Sequence, residues 1–373
     1  MSDTNPFASL DVATVINAAG KMTALGGSAQ SAAVAAAQAA AARAHVDLAA
    51  LRAAAGRRVA SLCGAEAGCI TTGAAAGICI SVAAVLTGTD RARVAQVPDL
   101  PDGPREVLLQ AGHDVFFGAA VTQMIRLGGG VPVLAGSRER VTIDDVRARL
   151  GVDSACLMFI QSHHCLQEDR LTLEDMAALA RERRLPLLVD AAAEEDLRRY
   201  VAAGADLVSY SGGKAIGGPT SGFIVGREDL IAACELQQIG IARPMKVGKE
   251  QIMGLMAALD AYPGAPVWHE VLEALVEALS ALPGIRVSRV PDRAGRAIAR
   301  AGVAPVAGNF EPVELVRHLQ DGSPSIRTRN HQLGEGLVLF DPRELRLDQV
   351  PVICARVAEF CRHIGGASEP PGA

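Results

Sequence analysis

From residue 68 onward, short apolar runs alternate along the chain with stretches in which apolar residues recur at helical spacing. Residues 68–72, 107–109, 131–134, 155–161, 185–190, 207–210 and 222–225 read as strands. Helical patterns fall between them at 74–86, 117–127, 143–150, 173–184 and 195–203. Near-continuous apolar strands separated by helices predict an α/β fold with a mostly parallel sheet covered on both faces. A sheet of that kind gathers its functional residues at the carboxyl ends of its strands.

The two ends of the chain read differently. The first 15 residues form a loose arm, and residues 28–59 are mostly alanine with Arg43, Asp47, Arg52 and Arg57 as a polar stripe. Alanine has the best helix propensity and permits close helix contacts, so two helices are expected here, buried or at a subunit interface. A long helical stretch at 230–261, interrupted near 240–248, ends at Tyr262-Pro-Gly-Ala-Pro266, which breaks it and marks a domain junction. Beyond it, a helix at 268–282, a strand at 284–290 and a last helix at 347–362 make a small α+β domain. The expected organisation is an arm with Ala-rich helices over 1–60, a large domain over 61–262 and a small domain over 263–373.

Composition narrows the function. A chain of 373 residues exceeds a single core, which stops growing at roughly 250–300 residues. A net charge of −5 and only eight Phe, three Tyr and one Trp argue against binding nucleic acid, which wants a basic surface and stacking rings. The eight cysteines include no C-x-x-C pair, and Met1-Ser-Asp-Thr-Asn-Pro lacks the charged and apolar regions of a signal peptide. Reduced thiols and a cytoplasmic location are expected.

Residues 67–89 carry no charge at all, and length alone would make them a membrane span. The stretch holds Gly68, Gly73, Gly77 and Gly88, however, with several threonines and no flanking aromatic belt. It is expected to be buried soluble structure.

The strongest chemical signal is Leu185-Pro-Leu-Leu-Val-Asp190-Ala-Ala-Ala, followed by Ser211-Gly-Gly-Lys214-Ala-Ile-Gly-Gly-Pro-Thr-Ser-Gly222. Asp190 ends one apolar strand, and Lys214 sits in a glycine-rich loop just past the next. In a parallel sheet both open on the same side and face one ligand. An aspartate and a lysine so related suit pyridoxal 5'-phosphate: the lysine amine forms a Schiff base, and the carboxylate keeps the pyridine nitrogen protonated. Thr71-Thr72-Gly73-Ala74-Ala75-Ala76-Gly77 lies between a strand and a helix, where free N–H groups and the helix dipole make an anion site for the phosphate. It is neither a Walker A loop nor a G-x-G-x-x-G fingerprint.

These residues resemble those of the pyridoxal-phosphate fold-type I enzymes of the selenocysteine synthase and D-glucosaminate-6-phosphate ammonia-lyase group. The matching pieces are Ile16-Asn17-Ala18-Ala19-Gly20, the turn at Thr72, Ile160-Gln-Ser162-His163-His164-Cys-Leu-Gln167, Val189-Asp190-Ala-Ala, Ser211-Gly-Gly-Lys214 and Arg243-Pro-Met-Lys246-Val-Gly-Lys249-Glu250. The resemblance implies an aminotransferase-like large domain with a small C-terminal domain. It gives Lys214 the covalent link to the cofactor, Asp190 the pyridine nitrogen, and Thr72, Gly73, Ala74 and Ser211 the phosphate. A ring stacked over the cofactor is also implied; His113 is the best supply, with Phe116 next. Either His163 or His164 reaches the substrate, with Gln167 a further polar candidate. Arg329, in the small domain, is the candidate clamp for a substrate carboxylate. Arg243 and Lys246 either reach a phosphate across a subunit interface or form a solvated face. No metal site is expected, since consecutive strand histidines point to opposite faces and no zinc spacing accompanies them.

The function this implies is a lyase that releases ammonia by β-elimination from a hydroxylated amino acid or an amino sugar acid. Replacement, racemisation and retro-aldol chemistry use the same lysine and aspartate and stay open. A tRNA-dependent selenium transferase is less favoured, because that enzyme carries a further domain before the Ile-Asn motif and the chain is acidic. The intact Asp190 and Lys214 speak against a regulator without catalysis. Such sites form between subunits, so a homodimer or larger homo-oligomer is expected.

Overall fold

The computed structural model describes residues 5–162, 165, 169–262, 268–293 and 296–366. Twelve strands occur among them: β1 Val15–Ala18, β2 Ala67–Thr71, β3 Glu106–Gln110, β4 Val131–Ala135, β5 Ser154–Ile160, β6 Leu187–Asp190, β7 Leu207–Ser211, β8 Gly222–Gly226, β9 Ile285–Pro291, β10 Ala299–Pro305, β11 Ser325–Thr328 and β12 Val338–Phe340. The chain divides into two compact units, Gln30–Pro263 and Met1–Ala29 with Gly264–Ala373. The segment 1–60, expected as one piece, is thus shared between them, and the division after residue 263 adjoins the expected junction.

The larger unit is built on a seven-stranded sheet in the order β2-β8-β7-β6-β5-β3-β4. Strands β4, β3, β5, β6 and β7 pair in parallel, while β8 runs antiparallel to both β7 and β2. A crossover helix would be needed to bring β8 in parallel to β7, and the ten residues between them hold none. Both faces of the central strands are covered, which is why their apolar residues fall at successive positions rather than at alternate ones. Leu157 and Phe159 of β5 pack into the core on one face, and Cys156, Met158 and Ile160 pack into the core on the other. The first face is covered by the helices Leu48–Cys63, Leu173–Arg183 and Lys249–Asp260, the second by Ala74–Thr87, Val121–Leu127 and Glu228–Leu236.

The uncharged residues 67–89 become β2 and the helix Ala74–Thr87, whose side chains are almost all buried. Among the described residues no helix is long and apolar enough to cross a membrane. The alanine-rich segment forms the helices Ala32–Ala42 and Leu48–Cys63, as expected. The first of these is not buried, however: Val34 is its only buried residue, and most of its alanines face outward. The stretch 230–261 breaks where expected, with two single 3-10 turns between the helices Glu228–Leu236 and Lys249–Asp260. The helix expected at 195–203 shrinks to Arg199–Ala202, because the acidic Glu194–Asp196 segment turns before it.

The smaller unit holds an antiparallel sheet, β12-β10-β9, and a parallel pair, β1-β11. The helices Trp268–Ser280, Pro312–Asp321 and Val350–Gly366 accompany them. Its core joins Ile16 and Ala18 of β1 to Leu275, Val303, Leu315, Ile326, Phe340 and Ile353. A strand follows directly where the arm read as loose ends, with Val15–Ala18 in register with Ser325–Thr328.

Candidate active site

The larger unit places Asp190 as the last residue of β6, with 7 % of its surface exposed. No helix starts there, so the carboxylate is not a helix cap. Its Oδ1 accepts the Ala192 N–H at 3.1 Å, closing a local turn, while Ala191 N–H continues the ladder to Ser209 at 2.9 Å. Burial pushes the carboxyl up to about 6, and the charge of Lys214 acts in the opposite direction.

Lys214 lies in the loop between β7 and β8. Gly212 N–H bonds Ser221 O at 2.7 Å, Gly218 N–H bonds Gly212 O at 2.7 Å, and Gly217 N–H bonds Lys214 O at 3.1 Å. These bonds close the loop on itself and hold the half-buried lysine beside the strand ends.

A third element meets them. The helix Ala74–Thr87 starts at Gly73, which provides no side-chain cap. Its first internal bond runs from Gly77 N–H to Gly73 O at 2.9 Å, leaving the N–H groups of Ala74, Ala75 and Ala76 without partners among the described residues. Thr71 Oγ1 donates to Gly73 O at 3.0 Å and shapes the turn. Gly222 lies in register with Thr71 on one side and Ser211 on the other, so Thr72, Gly73, Ala74 and Ser211 converge around it. A Cβ at Gly222 would stand 2.8 Å from Gly73 Cα and 2.4 Å from Tyr210 O; only glycine lets the turn approach β8 so closely. Three open amides at a helix N-terminus suit a phosphate, and a buried carboxylate beside a lysine suits a protonated pyridine ring. The residues present therefore fit pyridoxal phosphate.

His113 follows β3. Its ring is fully buried, edge-on to Phe159 with ring centres 4.7 Å apart, so neither face is open in this conformation to a stacked ligand. Phe116, the alternative ring, is 71 % exposed. His163, His164 and Gln167 lie outside the described residues. Arg243 and Lys246 are exposed and form no ion pair among the described residues, whereas Lys249 pairs with Glu250 at 2.6 Å.

Arg329 belongs to the smaller unit. Its backbone exchanges two bonds with Leu339, and its side chain is buried at 8 % exposure. Nη1 donates to Ala19 O at 3.4 Å, and Nε has no partner among the described residues. Two buried carboxylates stand nearby, but other arginines hold them. Asp341 accepts from Arg300 Nε at 2.8 Å and from Arg343 Nη2 at 2.8 Å; Asp292 accepts from Arg296 Nη2 and Arg300 Nη2, each at 2.8 Å. Four arginines thus face two aspartates. Burial first, then the charge of Arg300, brings Arg329 down to about 10. The charge of Asp341 acts on Arg329 against those of Arg300, Arg343 and Arg296, so the guanidinium stands in mainly positive surroundings, which suit an anion.

Sequence reasoning missed this ion network and Gln110, the buried polar end of β3. In the apolar run Glu106-Val-Leu-Leu-Gln110, the closing glutamine was the available signal.

The pattern of the SelA family, L-seryl-tRNA selenium transferase, matches residues 15–281. The chain belongs to this family. Among its SelA-family relatives, the D-glucosaminate-6-phosphate ammonia lyase of Salmonella typhimurium is 43 % identical over 365 residues, 96 % of this chain and 98 % of that protein. A 5'-C-glycyluridine monooxygenase-decarboxylase from a Streptomyces species is 41 % identical over 376 residues, 98 % of this chain and 94 % of that protein. The solved structure of a D-glucosaminate-6-phosphate ammonia-lyase superposes with a TM-score of 0.91 at 43 % identity, covering 97 % of this chain and 100 % of that one. An aspartate aminotransferase from Thermus thermophilus, 15 % identical with a TM-score of 0.56, shares the fold. The SelA-family chain therefore has the fold-type I, aminotransferase-like architecture of pyridoxal-phosphate-dependent enzymes.

Proposed function

We propose that this protein is a pyridoxal-phosphate-dependent lyase that releases ammonia by β-elimination from an amino sugar acid or a related hydroxylated amino acid. The observation that carries the reading is the buried Asp190 carboxylate acted on by the Lys214 charge, beside the uncapped start of the helix Ala74–Thr87. The near full-length relation to an ammonia lyase supports the reaction class.

When bound, the cofactor supplies an electron sink for carbanion chemistry at the α-carbon of an amino acid. The open amides of Ala74–Ala76 with Thr72 and Ser211 hold its phosphate, Asp190 pairs with its ring nitrogen, and Lys214 anchors it covalently. With its amine free, Lys214 Nζ would be the base that removes the α-proton of the substrate. Arg329 fixes the substrate carboxylate. The β-hydroxyl then leaves, and hydrolysis yields a 2-keto acid and ammonia. Phe116 covers the cofactor ring, or His113 once its ring leaves its contact with Phe159, one of His163 and His164 with Gln167 contacts the substrate, and Arg243 and Lys246 reach an anion across the interface of a homo-oligomer. The outward-facing alanines of Ala32–Ala42 suit such an interface.

The test is release of ammonia and keto acid from a panel of D- and L-hydroxy amino acids and amino sugar acids. Visible absorbance of the cofactor-loaded protein is expected, and Lys214→Ala should lose both absorbance and turnover. A colourless wild type after reconstitution overturns the cofactor assignment. The 41 % identity to a monooxygenase-decarboxylase favours one second reading, oxidative decarboxylation of an amino acid. Oxygen uptake and carbon dioxide release in the same panel, without ammonia, would establish it.

A further inference from the structure

Residues 169–171, ahead of the helix Leu173–Arg183, lie at the end of β3, where a group of buried donors lacks acceptors among the described residues. Gln110, fully buried, bonds Leu171 twice: Nε2 donates to Leu171 O and Oε1 accepts its N–H, both at 3.0 Å. That clamp fixes the preceding residue, Arg170, whose guanidinium lies against the Gly112 backbone. A Cβ at Gly112 would stand 2.4 Å from Arg170 Cζ. Arg170 Nη2 donates to Arg138 O, but Nε and Nη1 are buried and have no acceptor among the described residues.

Next to Gly112 is His113. Its Nδ1 accepts the Ile160 N–H at 3.2 Å, so the neutral ring carries its proton on Nε2. The ring is neutral because burial, then the charge of Arg170, brings it down to about 3. Nε2 is also buried and also has no acceptor among the described residues. Three donor nitrogens, Nε and Nη1 of Arg170 and Nε2 of His113, therefore meet no acceptor among the described residues. No carboxylate ion-pairs with Arg170 among the described residues, and Glu139, which its charge reaches, is bonded to Ser137. A buried donor left unmade costs about 1–3 kcal/mol, and more when charged. The site is also continuous with Asp190: Ile160 lies in register with that residue, and buried Cys165 feels the charges of both Arg170 and Asp190.

We propose that Arg170 and the Nε2–H of His113 form a binding site for an oxyanion of the substrate, a carboxylate or a phosphate oxygen. The choice of substrate rests on the lyase reading; the site itself rests on the unanswered donors.

The experiment compares wild type, Arg170→Gln and Arg170→Lys as cofactor-loaded enzymes on an amino sugar acid phosphate and on its phosphate-free counterpart. Calorimetric titration with inorganic phosphate and with malonate accompanies it. Arg170→Gln is expected to raise KM about tenfold to a hundredfold, the loss expected for one charged hydrogen bond, while kcat stays within about threefold. Arg170→Lys should restore part of the loss. His113→Phe, which keeps a ring and loses the donor, should weaken the titrated anion. A KM effect confined to the phosphorylated substrate assigns phosphate; an effect on both assigns carboxylate. Unchanged KM on both overturns the site, as does loss of the cofactor's absorbance in Arg170→Gln, which would place the anion on the cofactor. If wild type turns over neither substrate, the lyase reading fails, and the titration alone decides. Binding that Arg170→Gln abolishes supports the site; equal binding, or none to wild type, overturns it.

Discussion

Asp190 ends β6, Lys214 follows the neighbouring β7, and the lysine's charge opposes the burial that lifts the Asp190 carboxyl from 3.8 to about 6. The pair is poised for a cationic ligand. A carboxylate that burial lifts in this way gains strongly from a protonated ring nitrogen placed against it.

One consequence is measurable without substrate. Because folding raises this pKa, the folded protein holds the proton more tightly than the unfolded chain, and stability falls as pH rises from 3.8 to 6. Asp190→Asn should therefore stabilise the cofactor-free protein near neutral pH, by up to about 3 kcal/mol at 1.36 kcal/mol per unit. The gain should fade below pH 6 and vanish near 4 in Tm measured against pH. The same variant should bind the cofactor poorly.

Gly222→Ala would drive a methyl against Gly73 Cα and Tyr210 O, both backbone atoms that have no rotamer to give. A cost of about 1–3 kcal/mol in stability is expected. Because the displaced turn carries the open amides, cofactor affinity should fall with it, as equilibrium dialysis would show. Unaltered affinity in a destabilised protein would argue that the turn is not the phosphate cradle.

Arg329 is costly to keep where it stands. Its buried charge is held down to about 10, so Arg329→Met should leave the protein as stable or a few kcal/mol more stable. Affinity for the substrate carboxylate should nonetheless drop at least tenfold, read as KM for substrate and as the inhibition constant of a keto-acid analogue. Strong destabilisation with unchanged KM would reassign Arg329 to structure.

Asp341 behaves in the opposite way. The Arg343 and Arg300 guanidiniums hold its carboxyl down at about 2 although burial pushes it up. Its contribution to stability is complete above 3.8 and lost as pH falls toward 2. Asp341→Asn removes the carboxylate that Arg343 and Arg300 share, leaving Arg300 with Asp292, and should cost about 3–5 kcal/mol, seen in chemical denaturation at neutral pH.

How much of this could be read in advance varied with the kind of interaction. Strands buried on both faces must be apolar throughout, so β2 to β8 were visible as runs, and Asp190 was visible as the one charge closing such a run. Strand β10, Ala299–Pro305, was not visible: it buries Ala301 and Val303 but reads as alanine, arginine and glycine. Strands β1 and β11 span four residues each and are defined by each other, so no local pattern marks them.

By itself, the sequence determined the α/β alternation, the uncapped glycine turn after β2 and the placement of Asp190 and Lys214 at strand ends, because hydrophobic period and turn chemistry are local. Only the tertiary structure decided which charges face one another. It turned β8 antiparallel, joined the N-terminal strand to β11, gave the carboxylates near Arg329 to other arginines, and set Arg170 beside His113 with Nε, Nη1 and the His113 Nε2 unanswered among the described residues. Burial and electrostatic balance depend on residues far apart in the chain, so they exist only once the chain has folded.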